Sequence, residues 1–133
     1  IVARNNGGVT ELYAAVSSAA YADAASGNFN GLNEMGLYKS ADNGNTWTRF
    51  AIQHTSGVFK NPCDIELDIN NNIWFTTTGD SFGNPGGDIY RSTDGVTFSL
   101  ITNIPGALRT ELEPSQTSAN IFWVAARVGN GAD

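Results

Sequence analysis

The chain has 133 residues, enough for one domain with a real core and too few for two. It is 41% hydrophobic but only 15% charged, and its 15 glycines and similar number of asparagines fit a turn-rich β protein better than a helical bundle. A net charge of -6 with seven scattered Lys and Arg leaves no basic patch for nucleic acid or an anionic lipid surface, and no apolar run approaches the ~20 residues that span a bilayer.

In chain order, residues 1–4 read as a strand, residues 5–8 (Asn5, Asn6, Gly7, Gly8) as a tight turn, and residues 12–16 as a second strand. The alanine-rich stretch 14–25 offers a helix as competitor, but residues 13–16 align with better strands further on. Gly36-Leu37-Tyr38-Lys39-Ser40 leads into Ala41-Asp42-Asn43-Gly44-Asn45-Thr46-Trp47. Residues 65–69 alternate apolar and acidic, which predicts a strand with one wet face. Asn70, Asn71 and Asn72 mark a turn, and residues 73–77, rich in β-branched and aromatic side chains, suit a buried strand. A Gly/Asn/Pro loop over residues 78–87 precedes strands at 88–92 and 97–101, joined through Asp94-Gly95. Residues 109–113 and 121–125 then echo the 65–77 pair.

The chain therefore repeats. Ser40 and Ser92 stand 52 positions apart, a period that, with short strands and turn signals, points to four-stranded propeller blades. The predicted fold is all-β: a β-propeller segment of about two and a half four-stranded antiparallel blades. Blade 1 covers about 1–52, blade 2 about 64–101 and a half blade about 109–127. Ile1 opens on strand-like sequence without a leader, and the last residues have loop composition. Both ends are thus expected to continue, because an open stack leaves an apolar face and strand edges uncovered.

Ser40, Asp42, Gly44, Thr46 and Trp47 match the Asp-box pattern S-x-D-x-G-x-T-W at every defined position. Ser92, Asp94, Gly95, Thr97 and Phe98 form a second copy, one residue shorter before the glycine and with Phe for Trp. On these residues the chain resembles the Asp-box (BNR) β-propellers, a superfamily that includes sialidases, sortilin-like domains and xyloglucanase-type glycosidases. A structural role is expected for the box itself. A short Asp carboxylate accepts from the amides of its own turn, Gly takes the positive φ, and the aromatic buries area against the neighbouring sheet. Asp42 to Asn45 lacks the later bidentate Glu of a calcium loop, so no metal and no other cofactor is expected there.

In a meander the Asp boxes mark one side of the blades, and the long loops at 17–35, 53–62, 78–87 and 102–108 lie on the other. Such loops on a rigid scaffold carry ligand contacts, and the resemblance places the binding site on that side too. The ligand-binding candidates are Tyr21, Phe29, His54, Phe82 and Asp88, with Glu34 nearby. Asp23 and Asp80 fall in equivalent loops and are the acids that could form a glycosidase pair. Sialidase chemistry is disfavoured, since the five arginines match no convergent triad, and Arg49 and Arg91 are expected beside the boxes. Cys63 has no partner for a disulfide and reads as a small buried hydrophobe. Trp74, Phe75, Phe122 and Trp123 are expected as core between blades. Glu66, Asp68, Glu111 and Glu113 are expected to line an acidic central channel.

The resemblance implies an exported bacterial propeller, secreted or at the cell surface. It would act as an adhesion, carbohydrate-binding or protein-docking module, in the manner of type IX secretion substrates of gliding bacteria. Its partners would be a glycan or protein ligand and the remainder of the same propeller. Two alternatives stay open: a xyloglucanase-like glycoside hydrolase with carboxylates partly outside this segment, and a small lectin that closes a propeller by oligomerising.

Overall fold

The computed structural model describes residues 1–18, 34–80, 82–119 and 121–129. Among them there is no helix. Ten antiparallel strands form three sheets. The first is a meander of β1 (Val2–Asn6), β2 (Val9–Val16), β3 (Gly36–Ser40) and β4 (Thr48–Arg49). The second repeats that order with β5 (Asn61–Leu67), β6 (Ile73–Thr78), β7 (Asp88–Ser92) and β8 (Ser99–Asn103). The third pairs β9 (Ala107–Pro114) with β10 (Phe122–Val128). The alanine-rich stretch continues β2 as far as Val16, so over its described part strand wins over helix.

Alternation along each strand explains how the sheets stack. Side chains point to opposite faces with period two. Ile73, Phe75 and Tyr90 enter a core with Tyr13 and Leu37 of the first sheet, and Ile65 joins them from β5. Their neighbours Trp74 and Ile89 point the other way, onto Leu112 of the third sheet. The second sheet is therefore covered on both faces, and β6 is buried along its whole length. That accounts for the unbroken run Ile73-Trp74-Phe75 where a one-sided strand would alternate. Phe122 packs against Trp74, with ring centroids 5.2 Å apart. Trp123, expected in a core, is 61% exposed, because the face of β10 on which it sits meets no further sheet among the described residues.

Both Asp boxes fold into the same hydrogen-bonded turn despite their different lengths. Ser40 Oγ donates to Asp42 Oδ1 (2.8 Å) and accepts from the Gly44 amide, while Asp42 also accepts from the amide and hydroxyl of Thr46. In the shorter copy Ser92 Oγ donates to Asp94 and accepts from Gly95, and Asp94 takes the amides of Val96 and Thr97. The deletion is absorbed because Gly95, at φ +75, directly follows the Asp. The two aromatics part company. Phe98 reaches the core, edge-on to Phe75 at 5.5 Å, whereas Trp47 folds over its own box and donates to the Gly44 carbonyl. Burial of Trp47 against the neighbouring sheet, expected from the pattern, is not what this turn does. Phe50, three residues on, takes the core position and stacks against Tyr13.

The second box is gripped from the first sheet by a buried charged network that local sequence does not reveal. Arg4, 7% exposed, donates to the carbonyls of Asn71, Thr93 and Asp94 and pairs with Glu11 at 3.0 Å. Lys39 pairs with Glu11 at 2.7 Å, and the Tyr13 hydroxyl lies 2.8 Å from Glu11 and 2.9 Å from the Gly95 carbonyl. Burial opposes the Glu11 charge, but Lys39, Tyr13, Asn6 and Arg4 outweigh it and hold its pKa at about 2. The hydroxyl and amide of Thr46 together with Ser40 hold Asp42 at about 2 as well.

A carboxylate with a depressed folded-state pKa stabilises the fold above its ordinary pKa, and this contribution is lost as the pH falls through the folded value. The Glu11 and Asp42 contributions are therefore expected to be fully present above about pH 4.5 and to be lost steadily towards pH 2. Urea midpoints across that range measure the loss. A midpoint that stays level down to pH 2 would refute the Glu11 assignment.

Candidate functional site on the loop face

The side opposite the boxes gathers His54, Asp80, Phe82 and Asp88 of the expected site residues. His54 sits in a small hairpin closed by the Gln53–Phe59 bridge, where its amide donates to Val58 O and the Gly57 amide returns to His54 O. Its Nε2 lies 4.0 Å from Asp80 Oδ2, and both side chains are nearly buried. Burial and the neighbouring Lys60 push the His54 pKa below its ordinary value, against the pull of Asp80 and Asp88, so the imidazole is mostly neutral at pH 7. Lys60, next to the hairpin, pairs with Asp88 at 2.6 Å, and Asn103 donates to the other Asp88 oxygen. Tyr90 is pushed up to about 12 by burial and by Asp88.

Asp80 is occupied by its own loop. Oδ1 accepts from the amides of Phe82 and Asn84, and Oδ2 from the Asn84 side chain. Asp68 makes the same pattern one turn earlier, with the amides of Asn70 and Asn72 on Oδ1 and the Asn72 side chain on Oδ2. In both loops the residue before the final Asn has positive φ, Asn71 at 62° and Gly83 at 85°. The shared spacing Asp-x-x-(Asn/Gly)-Asn was the signal in the sequence that marks Asp80 as a turn anchor. The Trp74 indole also donates to Asp68, and it and the Asn donors hold this carboxyl low against its burial. Asp68 therefore points into its turn and not into the expected acidic channel.

The remaining three acids of that channel do converge. Glu66, Glu111 and Glu113, joined by Asp64, line a cleft between β5 and the β9–β10 pair beside Trp123. Burial, with Asp64 and Glu113 close by, raises the Glu66 pKa. Asp64 itself accepts from the Leu112 amide and so ties the second sheet to the third. Cys63 lies half-buried in the same region, and burial pushes its thiol up, away from the reactive thiolate form.

Phe82 is 53% exposed at the rim of a shallow cleft lined with Met35, Arg49, Gly57, Val58 and Phe59. The Arg49 guanidinium stacks 3.6 Å over the Phe59 ring and donates to Met35 O. Arg49 thus reaches back to the loop side, although its strand position beside the box suggested the opposite. Lys60, Phe59 and Asn103 were not singled out from the sequence, because none belongs to a motif. Tyr21, Asp23 and Phe29 lie outside the described residues, and Glu34 is an exposed residue whose carbonyl accepts from the Tyr38 hydroxyl.

Chemically, the loop face offers an aromatic cleft that Arg49 also lines, beside Asp88, which is paired with Lys60, and Asp80, whose oxygens are taken by donors of its own loop. No protein-family model, curated protein or solved structure matches this chain.

Proposed function

We propose that the chain is part of an exported Asp-box β-propeller that works as a binding module, for surface adhesion or protein docking, with a glycan or protein ligand on its loop face. Two stacked four-stranded meanders, each with its box on the same side, support the propeller reading. The observation that carries binding over hydrolysis is the state of Asp80. Its side chain is 1% exposed and both oxygens are engaged, while Phe82 two residues away stands out to solvent. A glycosidase acid must face the scissile bond with a free oxygen; a stacking ring needs only exposure.

The lectin reading also has an observation in its favour. The outer face of β9–β10 exposes Trp123, which either further blades or a second copy of the chain would cover. Intact mass with native sizing of the purified protein separates the two.

Screening the protein against immobilised glycans, beside a Phe82→Ala variant, tests binding. Loss of roughly tenfold in affinity, about 1.4 kcal/mol, is expected for Phe82→Ala, with the thermal midpoint unchanged. Turnover of oligosaccharides that Asp80→Asn abolishes would overturn the reading in favour of a hydrolase.

A further inference from the structure

The sequence contains four Asn-Gly pairs, two of them within the described residues, and the structure treats these two in opposite ways. Asn6-Gly7 lies where β1 ends: Asn6 pairs with Val9, and Gly7 and Gly8, both at positive φ, form the two-residue turn into β2. Asn43-Gly44 lies in the first Asp box. An Asn side chain followed by Gly is attacked by the next backbone nitrogen when that nitrogen is free and the space around it is open.

In the box neither condition holds. The Gly44 amide donates to Ser40 Oγ at 2.9 Å, and Leu12 and Trp47 close over the position. In the hairpin both hold. The Gly7 amide has no acceptor among the described residues, and nothing lies within 4 Å of where its side chain would be.

We infer that Asn6 is a site of spontaneous deamidation that acts on the junction between the first two sheets. The Gly7 nitrogen gives its proton to solvent base and bonds to Asn6 Cγ, and the side-chain nitrogen takes a proton from solvent and leaves as ammonia. Water then opens the cyclic imide at either carbonyl, leaving aspartate or isoaspartate, with no oxidant or reductant involved. Asn6 Nδ2 donates to Glu11 Oε1 at 3.2 Å, and Glu11 is the carboxylate that Arg4, Lys39 and Tyr13 share. Deamidation replaces that donor with a second carboxylate against Glu11. The isoaspartyl product also adds one backbone carbon where β1 enters the two-residue turn and disturbs the Asn5–Thr10 and Asn6–Val9 register.

The experiment is incubation of the folded protein in mildly alkaline buffer, followed by peptide mapping with an isoaspartyl-specific label. Modification is expected at Asn6 and not at Asn43, and the modified fraction should unfold at lower denaturant. Asn6→Asp should lower the midpoint without incubation. Asn6→Gln, which would have to close a larger ring, should remove the modification at residue 6. Equal modification at Asn43, an intact Asn6 in the folded protein, or an Asn6→Asp midpoint equal to that of the wild type would each overturn the inference.

Discussion

Arg4→Ala is expected to destabilise the protein by about 3–5 kcal/mol, the usual cost of removing one partner from a buried ion pair. The size follows from what is left behind. Glu11 keeps Lys39 but loses its guanidinium, and the carbonyls of Asn71, Thr93 and Asp94 lose a common donor at the sheet junction. Arg4→Lys should recover only part of the loss, because an ammonium does not reproduce the planar fork that serves four acceptors. Urea denaturation of the three proteins measures both effects. A loss within about 0.5 kcal/mol for Arg4→Ala, the range of an ordinary surface change, would show that the network is not what couples the first sheet to the second box.

Phe75→Ala should cost a similar amount, about 3–5 kcal/mol, for a different reason. The ring is 1% exposed, stacks on Tyr90 with centroids 4.8 Å apart and meets Phe98 edge-on. It occupies the centre of the core shared by the first two sheets, so truncation leaves a cavity that the rigid strands on either side do not close. Phe82→Ala is the matched control. The residue type and the substitution are the same, but the ring is exposed, and the stability change should stay within about 0.5 kcal/mol. That contrast allows Phe82→Ala to report on binding without a folding artefact. Equal losses at both positions would show that Phe82 is a structural cover and not a contact surface.

Most of the secondary structure was legible because its causes are local. The boxes and the Asn70 to Asn72 turn are specified by hydrogen bonds within four residues and by positive-φ positions held by Gly or Asn. The meander follows from such turns, since each short link forces the next strand to return beside the last. One boundary moved. β5 begins at Asn61, four residues before the alternation at 65–69 starts, because Asn61 and Pro62 pair with Thr78 and Thr77 ahead of a bulge.

The candidate site was legible in outline only. His54, Asp80 and Asp88 lie on the side opposite the boxes, as strand parity along a meander requires. Their state was not legible, because it depends on partners far along the chain: Lys60 for Asp88, His54 for Asp80, Arg49 for the cleft beside Phe82. The same holds for the acids. Asp68 and Glu66 are two residues apart and look equivalent in an alternating strand, but the end of the strand falls between them, so one caps a turn and the other faces a cleft.

By itself, the sequence determined what forms within a few residues: ten strands, the turns that join them, and the chemistry of two Asp boxes. Only the tertiary structure decided which charges are spent. Arg4 finds its carbonyl acceptors 67 to 90 residues away, and Tyr13 reaches Gly95 across 82. Turn geometry is a property of neighbouring dihedrals and short side chains, so it is written locally. A buried ion network exists only once sheets have stacked and excluded water.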